Sequence, residues 1–243
     1  MDTVYTLNIA CSGPTVQALV AEGNALVAFS AVQGSDDSAL PLVWLVTTAF
    51  GEKFPLSWSA TYGAYASTTP LTPGRIVQMS TTALIAPGQR FRVQAGPIGS
   101  VTGAGVAGKI AIENVATTEW ICGTQQTVNG ALAPVCAYPL HGGNVQTIVP
   151  LPQVVLLFTT APMRVGEVWR SDLSHGPILS LDMTLQTSAS VTYDVDAGWS
   201  WPDTQLGAKT ISQEQVVSTL IQPFPPPFLT RRLQENERPV RLN

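Results

Sequence analysis

The chain has 243 residues, of which 12% are charged, and its formal net charge at pH 7 is −4. The length suffices for one large domain or two small ones with a buried core, and the charged share is about half the usual share of soluble domains. Because nucleic-acid binding needs clustered cations that displace counterions from phosphates, the composition argues against a body that binds DNA or RNA.

Targeting signals are not evident in the sequence. The N-terminal segment MDTVYTLNIACSG lacks the basic region and the continuous apolar region of a secretory signal peptide. Residues 120–163 contain no Asp, Glu, Lys or Arg, but five prolines interrupt them, so no transmembrane segment is predicted. We expect cytoplasmic synthesis, with a virion as the destination if the protein is a coat subunit.

Short β-branched or alternating segments recur along the chain, separated by Gly, Pro, Asn and Asp. This pattern is typical of strands joined by turns. The predicted strands are residues 4–10, 25–32, 42–48, 56–62, 76–82, 89–94, 108–114, 118–122, 145–149, 154–160, 166–171, 178–185 and 188–195.

Two of these segments alternate strictly between apolar and polar residues, which places every second side chain on one face of a sheet. In residues 190–195 the inward positions are Val191, Tyr193 and Val195. Together with short apolar runs elsewhere, the alternation predicts a buried set of Phe91, Val93, Ile110, Ile112, Val155, Leu157, Val191 and Tyr193.

Helical character is confined to residues 212–221, where Ser212 is the expected N-cap and Glu214 lies in the first turn. The same residues also fit a last strand. Many short strands with almost no helix predict an all-β fold, an antiparallel β-sandwich of jelly-roll-like type. We assign residues 1–221 to one elaborated domain, with two tandem sandwiches as the alternative, and residues 222–243 to an extended C-terminal arm.

The arm combines a proline-rich start with a charged end, QPFPPPFLTRRLQENERPVRLN. Consecutive prolines force polyproline II geometry and forbid helix continuation. We predict that the arm leaves the body and docks apolar side chains on a neighbouring subunit, while its arginines pair with that neighbour's acidic body. The apolar residues are Phe224, Phe228 and Leu229, and the arginines are Arg231, Arg232, Arg238 and Arg241.

Three cysteines are present, Cys11, Cys122 and Cys136. A bridge between Cys122 and Cys136 would close a short loop and suit an oxidising compartment. Without a signal peptide, buried free thiols are the favoured alternative.

Two histidines, His141 and His175, lie in turn sequences. His175 can be written into a triad with Ser174 and either Asp172 or Asp182, but no Gly-x-Ser-x-Gly elbow presents a nucleophile. Zinc motifs are also absent from the sequence, so we expect no catalytic residues, no cofactor and no metal beyond a weak candidate described next.

The glycine string Gly103, Gly105 and Gly108 resembles a dinucleotide fingerprint in spacing only, because a strand-like segment follows it instead of a helix. Asp194 and Asp196, at the end of a predicted strand, are the weak calcium candidates, although such a pair more often ends a strand.

Two aromatic groups are the candidate binding residues. They are Trp199 with Trp201, and Trp58 with Tyr62 and Tyr65. Exposed rings of this kind stack on sugars or lie at membrane interfaces, whereas buried ones plug the end of a sandwich. Both alternatives are open on the sequence.

Three functions fit these features. The first is a non-enzymatic assembly protein, a jelly-roll-like subunit of a capsid-like shell or other homo-oligomer, which explains the low charge and the arm. The second is a lectin that binds glycans, or a β-pore-forming recognition protein. The third is an enzyme or binding protein for a hydrophobic small molecule held in the sandwich, with His141 or His175 as its base.

Overall fold

A computed structural model describes residues 3–36, 38–96, 98–173, 175–202 and 206–225. Strands make up 55% of the structure and helices 7%, so the predicted all-β class is confirmed. The strands are β1 (Val4–Cys11), β2 (Ala25–Gly34), β3 (Leu40–Pro41), β4 (Leu45–Thr47), β5 (Lys53–Ser67), β6 (Thr81–Ile85), β7 (Arg90–Gln94), β8 (Ile98–Thr102), β9 (Ile110–Asn114), β10 (Trp120–Val128), β11 (Ala131–Pro134), β12 (Cys136–Leu140), β13 (Val145–Thr159), β14 (Ile178–Asp182), β15 (Ser188–Asp194), β16 (Gly198–Ser200), β17 (Gly207–Ile211) and β18 (Ile221–Pro223), and the helices are α1 (Gly13–Ala21) and α2 (Gln215–Leu220).

The strands form two sheets that pack as a sandwich. The first has the order β16-β15-β1-β5-β10-β12-β3, with β6 also paired to β5 and β11 to β10. The second has the order β17-β14-β13-β9-β7-β8, and β2 lies on the other side of β13 with β4 and β18 on its outer edge. Among the described strands, β1 and β15, β18 and β2, and β7 and β9 pair in parallel. The sheets are therefore mixed, not purely antiparallel as expected, and they do not establish a jelly roll specifically.

The main core lies between the two sheets. All eight residues predicted to be buried are at most 4% exposed, which confirms the alternation argument. Val195 is the exception to that argument, because β15 ends at Asp194 and leaves Val195 39% exposed in the following turn. A polar contact also joins the sheets, since the Ser30 hydroxyl of β2 donates to Gln126 Oε1 of β10 at 2.9 Å.

The outer faces of both sheets are covered as well. Over the second sheet, Val216 and Leu220 of α2 pack with Trp169 against Phe29 of β2. Over the first sheet, Leu42, Val77 and Val168 pack on Tyr65 and Ile121. The centre of each sheet is thus buried on both faces, which explains continuous apolar strands such as residues 154–158, whereas strands such as β7 and β15 keep one exposed face.

The uncharged residues 120–163 mostly form core within this single chain. Exposed positions cluster in two turns, residues 129–132 and 141–145. The lack of charge in this segment therefore needs no neighbouring subunit to explain it.

Several predicted elements differ from the structure. The segments 145–149 and 154–160 are one strand, β13, because Pro150 lies at a register shift opposite β2, and Pro152 lies where β13 changes partner from β9 to β14. Residues 166–171 form a turn with isolated bridges instead of a strand, since the Glu167 carboxylate accepts from the Arg164 backbone N–H at 3.1 Å.

The helices also differ from expectation. Helix α1 is not among the predicted elements, although the Ser12 hydroxyl caps it by accepting from the Thr15 backbone N–H at 3.2 Å and Pro14 lies in its first turn. Helix α2 begins at Gln215 with Glu214 at the N-cap, not Ser212, and no side chain of the described residues caps it.

The body continues past the predicted boundary at residue 221. Strand β18 pairs with β2 through Pro223, and the Phe224 backbone N–H donates to the Gly34 carbonyl at 3.0 Å. Lys109 Nζ lies 3.9 Å from the centroid of the Phe224 ring. Phe224, which we expected to contact a neighbouring subunit, therefore contacts its own chain.

Candidate functional site

Most of the aromatic binding candidates are core residues. Trp58 and Tyr65 are 2% and 0% exposed, and the Tyr65 hydroxyl donates to the Cys136 carbonyl at 2.7 Å. Tyr62 is half-buried and packs against the main core. Because stacking on a sugar needs an accessible ring face, Trp58 and Tyr65 cannot form the predicted patch.

The second aromatic pair, Trp199 and Trp201, is also largely buried. Trp199 is 7% exposed, stacks on Phe158 and donates its indole N–H to the Pro177 carbonyl at 2.8 Å. Trp201 is half-buried and packs on the main core. The pair therefore packs as part of the sandwich core. This agrees with the prediction that such rings plug the sandwich and not with the prediction that they bind a sugar.

The calcium candidates are used by the protein itself. The Asp194 carboxylate accepts from the backbone N–H of Asp196 and Ala197 at 3.0 and 3.1 Å and from the Thr15 hydroxyl at 3.1 Å. Asp194 thus ends β15 and ties it to α1. Among the described residues, no group of three or more His, Cys, Asp or Glu could hold a metal ion.

Neither aspartate of the hypothetical triad is hydrogen-bonded to the His175 ring in the described ranges. Asp182 accepts from the backbone and hydroxyl of Thr184, and Asp172 lies 3.9 Å from Arg170. Ser174 lies outside the described residues, as do Phe228, Leu229, Arg231, Arg232, Arg238 and Arg241 of the arm. The glycine string after β8 leads into β9, so its context is not that of a dinucleotide site.

A polar cleft lies where the ends of β2, β12 and β13 meet, and we call it the His141 cleft. Its volume is about 430 Å³. Two chain features shape it: β2 ends at Gly34, and a tight turn with Gly143 at φ 76° returns the chain from β12 to β13. The polar residues that line the cleft are Ser35, Asp36, Ser38, His141, Asn144 and Gln146.

Gln146 is the most informative residue of this cleft. It is 3% exposed, and its Oε1 accepts from the Ser35 hydroxyl at 3.0 Å. Its Nε2 is buried and has no hydrogen-bond partner in the described part of the chain. A buried amide N–H without a partner costs about 1–3 kcal/mol, so an oxygen brought within reach of Gln146 Nε2 would make a favourable hydrogen bond.

The other lining groups include acceptors and an exposed ring. The Asp36 carboxylate holds the loop by accepting from the Ser38 backbone N–H at 2.9 Å and from its hydroxyl. His141 Nδ1 lies 2.9 Å from Glu119 Oε2, and 68% of the histidine side chain is exposed. Among the described residues that line the cleft there is no lysine or arginine.

Tyr138, which does not itself line the cleft, lies behind Gly34. Its hydroxyl is buried without a partner among the described residues, and a Cβ on Gly34 would collide with it. Burial raises the pKa of Tyr138 well above its ordinary value, with smaller contributions from Cys136 and Asp36, so the phenol stays protonated.

Sequence reasoning missed Gln146, although a signal was present. In the segment 145–149, Gln146 shares the inward face with Ile148, and a polar residue at an inward strand position needs a partner.

Comparisons with models of protein families, with curated proteins and with solved structures found no match to this chain. Of the helices in the described ranges, none has the length and apolar character needed to cross a membrane.

Proposed function

We propose that the protein is a non-enzymatic recognition protein that binds a small polyhydroxylated ligand, such as one sugar unit of a glycan, in the His141 cleft. The observation that carries this proposal is the Nε2 of Gln146, which is buried in the wall of a polar cleft without a partner in the described ranges. A ligand hydroxyl can accept from this donor, and the gain is large because the donor gives up no existing hydrogen bond in exchange.

The rest of the cleft suits a neutral ligand with many hydroxyl groups. The Asp36 carboxylate only accepts hydrogen bonds, whereas the Asn144 amide and the Ser35 and Ser38 hydroxyls both donate and accept. Since no lysine or arginine is found among the described lining residues, a phosphate or carboxylate ligand would find no permanent cation there, and the Asp36 carboxylate would repel it. A volume of about 430 Å³ is within the range of sites for small molecules.

The test is saturation-transfer-difference NMR of the full chain with the methyl glycosides of glucose, galactose, mannose and N-acetylglucosamine. We expect saturable binding of at least one glycoside, abolished in Gln146→Met. This variant keeps the volume and removes a donor that is unsatisfied in the free protein. It also removes the acceptor of the exposed Ser35 hydroxyl, which water can replace, so its thermal stability should stay close to that of the parent. Gln17→Met, on the exposed face of α1, is the matched control and should bind normally.

Asp36→Asn provides the second arm, because it replaces an acceptor and should weaken binding about tenfold without unfolding an exposed loop. If no glycoside binds, or if Gln146→Met binds as tightly as the parent, the proposal is wrong.

A second candidate, self-assembly, is favoured by the distribution of charge. Residues 1–221 carry eight basic and fourteen acidic residues, whereas residues 222–243 carry four arginines and two glutamates. We propose as the alternative a homo-oligomer, a capsid-like shell or virion subunit in its largest form, in which Phe228, Leu229 and the four arginines contact the acidic body of a neighbouring subunit.

Truncation after Pro225 tests this alternative, and the structure explains why the chain should be cut at that residue. It leaves β18 and the contact of Phe224 with Lys109 intact, whereas truncation after Gln222 would shorten the strand and remove the contact. Assembly through the arm predicts that the full chain has the native mass of an oligomer and the truncated chain that of a folded monomer. Equal masses contradict it.

A further inference from the structure

We infer that a second cleft, next to His175, binds a small organic cation such as a primary or quaternary ammonium compound. The His175 cleft lies between the C-terminal end of α1, the turn before β14 and the end of β15, and its volume is about 380 Å³. The described residues that line it are all different from those that line the His141 cleft. The inference therefore does not depend on the proposed function.

The charge of the cleft is negative. Glu22 and Asp196 are both exposed and line it, whereas its described lining includes no lysine or arginine. One Glu22 oxygen accepts from the Asn24 amide at 3.0 Å, which fixes the carboxylate at the rim. Asp194 is adjacent to the cleft in sequence but is already satisfied by three donors of its own chain, so the two lining carboxylates remain for a ligand.

The hydroxyl of a largely buried side chain supplies the second, independent observation. Tyr193 is 4% exposed and lines the cleft, and no hydrogen bond of its hydroxyl is found in the described ranges. A Cβ placed on Gly176, which also lines the cleft, would lie 2.6 Å from that hydroxyl. The absence of a side chain at Gly176 thus leaves the Tyr193 oxygen open to the cleft.

The packing behind Tyr193 holds this oxygen in place. The centroid of its ring lies 4.5 Å from that of Phe158 and 4.8 Å from that of Trp199. His175 is fixed as well, because Nδ1 lies 2.6 Å from the Gly176 carbonyl, which can only accept, so Nδ1 carries the proton.

Two features favour an organic cation over a metal ion. In the described part of the chain no three His, Cys, Asp or Glu converge closely enough to hold a metal. In addition, Leu19, Pro177 and Val195 give the cleft apolar walls, which alkyl groups can contact and a hydrated metal ion cannot.

The test uses choline and its neutral carbon isostere, 3,3-dimethylbutan-1-ol, which have nearly the same shape and differ in charge. Both are titrated into the ¹⁵N-labelled full chain, and the backbone amide shifts of Gly176 and Asp196 are followed. We expect saturable shifts with choline and none with the isostere. Added salt should weaken the choline response, since exposed charges are screened.

Three variants localise the effect. Asp196→Asn and Tyr193→Phe should each weaken choline binding about fivefold, the change expected when one partly exposed polar contact is lost. Asp172→Asn, which changes a carboxylate that is 75% exposed and lies outside the cleft, should bind as the parent does. Equal binding of choline and its isostere, absence of saturable shifts, or unchanged binding in Asp196→Asn would each overturn the inference.

Discussion

Gly123 shows how a single residue can determine the packing of two strands. It lies in the middle of β10, where a Cβ would collide with the Cys136 carbonyl and lie 2.8 Å from the Tyr65 hydroxyl. That hydroxyl donates to the same carbonyl at 2.7 Å, so the glycine makes room for a buried hydrogen bond. The neighbouring atoms are backbone and a fully buried ring, and neither can move freely.

We therefore expect Gly123→Ala to lower the free energy of unfolding by about 1–3 kcal/mol, the usual cost of overpacking a core. Urea denaturation followed by tryptophan fluorescence measures the change. Gly51→Ala is the matched control, because an added Cβ there would meet no described atom within 4 Å and the φ of Gly51 lies outside the left-handed region. The control should change the stability by less than about 1 kcal/mol, on the stabilising side. Equal effects of the two substitutions would contradict the explanation.

Asp194 gives a prediction about pH. Hydrogen bonds from the backbone N–H of Ala197 and Asp196 and from the Thr15 hydroxyl hold the pKa of its carboxyl below the ordinary value. A lowered pKa in the folded state contributes stability that is fully present above the ordinary aspartate value of about 4 and disappears as the pH falls through the folded value.

The melting temperatures of the parent and of Asp194→Asn should accordingly differ at neutral pH and converge in acid, as the pH falls through the pKa of the carboxyl in the folded protein. Asp172→Asn serves as the reference, since Arg170 is the ion-pair partner of its carboxylate in the described ranges and lies 3.9 Å away. A difference in melting temperature between the parent and Asp194→Asn that stays constant down to the most acidic pH at which both proteins fold would refute this account.

At the scale of the element, α1 depends on its cap. The Ser12 hydroxyl accepts from the Thr15 backbone N–H and donates to the Thr15 hydroxyl at 3.0 Å, and Thr15 in turn donates to Asp194. The cap is therefore the first contact in a series of hydrogen bonds that joins the helix to the end of β15.

Ser12→Ala should destabilise the protein by about 1 kcal/mol, the usual value for a lost N-cap, as measured by thermal unfolding. Ser218→Ala is the comparison in α2, where the hydroxyl bonds back to the Gln215 carbonyl at 3.1 Å and contributes little. If Ser12→Ala and Ser218→Ala lower the thermal stability by the same amount, the cap is not what stabilises α1.

Elements with a strong local pattern were predictable, and those set by distant contacts were not. Strict alternation identified β7 and β15 together with their buried side chains, because the period of two is a property of the strand itself. The continuity of β13 across Pro150 was not predictable, since it depends on which strands flank the prolines. The clefts were missed for the same reason: Gln146 and Asp36 are distant in sequence and meet only through the pairing of β2 with β13.

At the scale of the whole molecule, the cysteines report on opening of the sandwich. Cys11, Cys122 and Cys136 are all free and buried, which confirms the prediction of buried thiols. Burial raises the pKa of Cys136 to about 11 and raises those of Cys122 and Cys11 as well, so thiolate is scarce near neutral pH.

We expect Ellman's reagent to leave the native protein unmodified at mildly alkaline pH and to modify all three thiols once guanidinium has unfolded it. At intermediate guanidinium concentrations the rate of modification should rise in parallel with the fraction unfolded, as measured by circular dichroism. Reaction of any thiol at the rate of a free cysteine under native conditions would show that its part of the sandwich is open.

The pairing of β1 with β15 and of β2 with β18 determines when these strands can be completed during synthesis. Thr6 pairs with Ser188, and Val32 pairs with Ile221, so each early strand needs a partner that lies more than 180 residues further along the chain. A ribosome must therefore translate past residue 221 before both partners exist, and until then residues 32–34 of β2 have no ladder partner on the side that β18 later occupies. Nascent chains of this protein therefore complete their sheets late, and the unpaired edges of β1 and β2 stay exposed for most of translation.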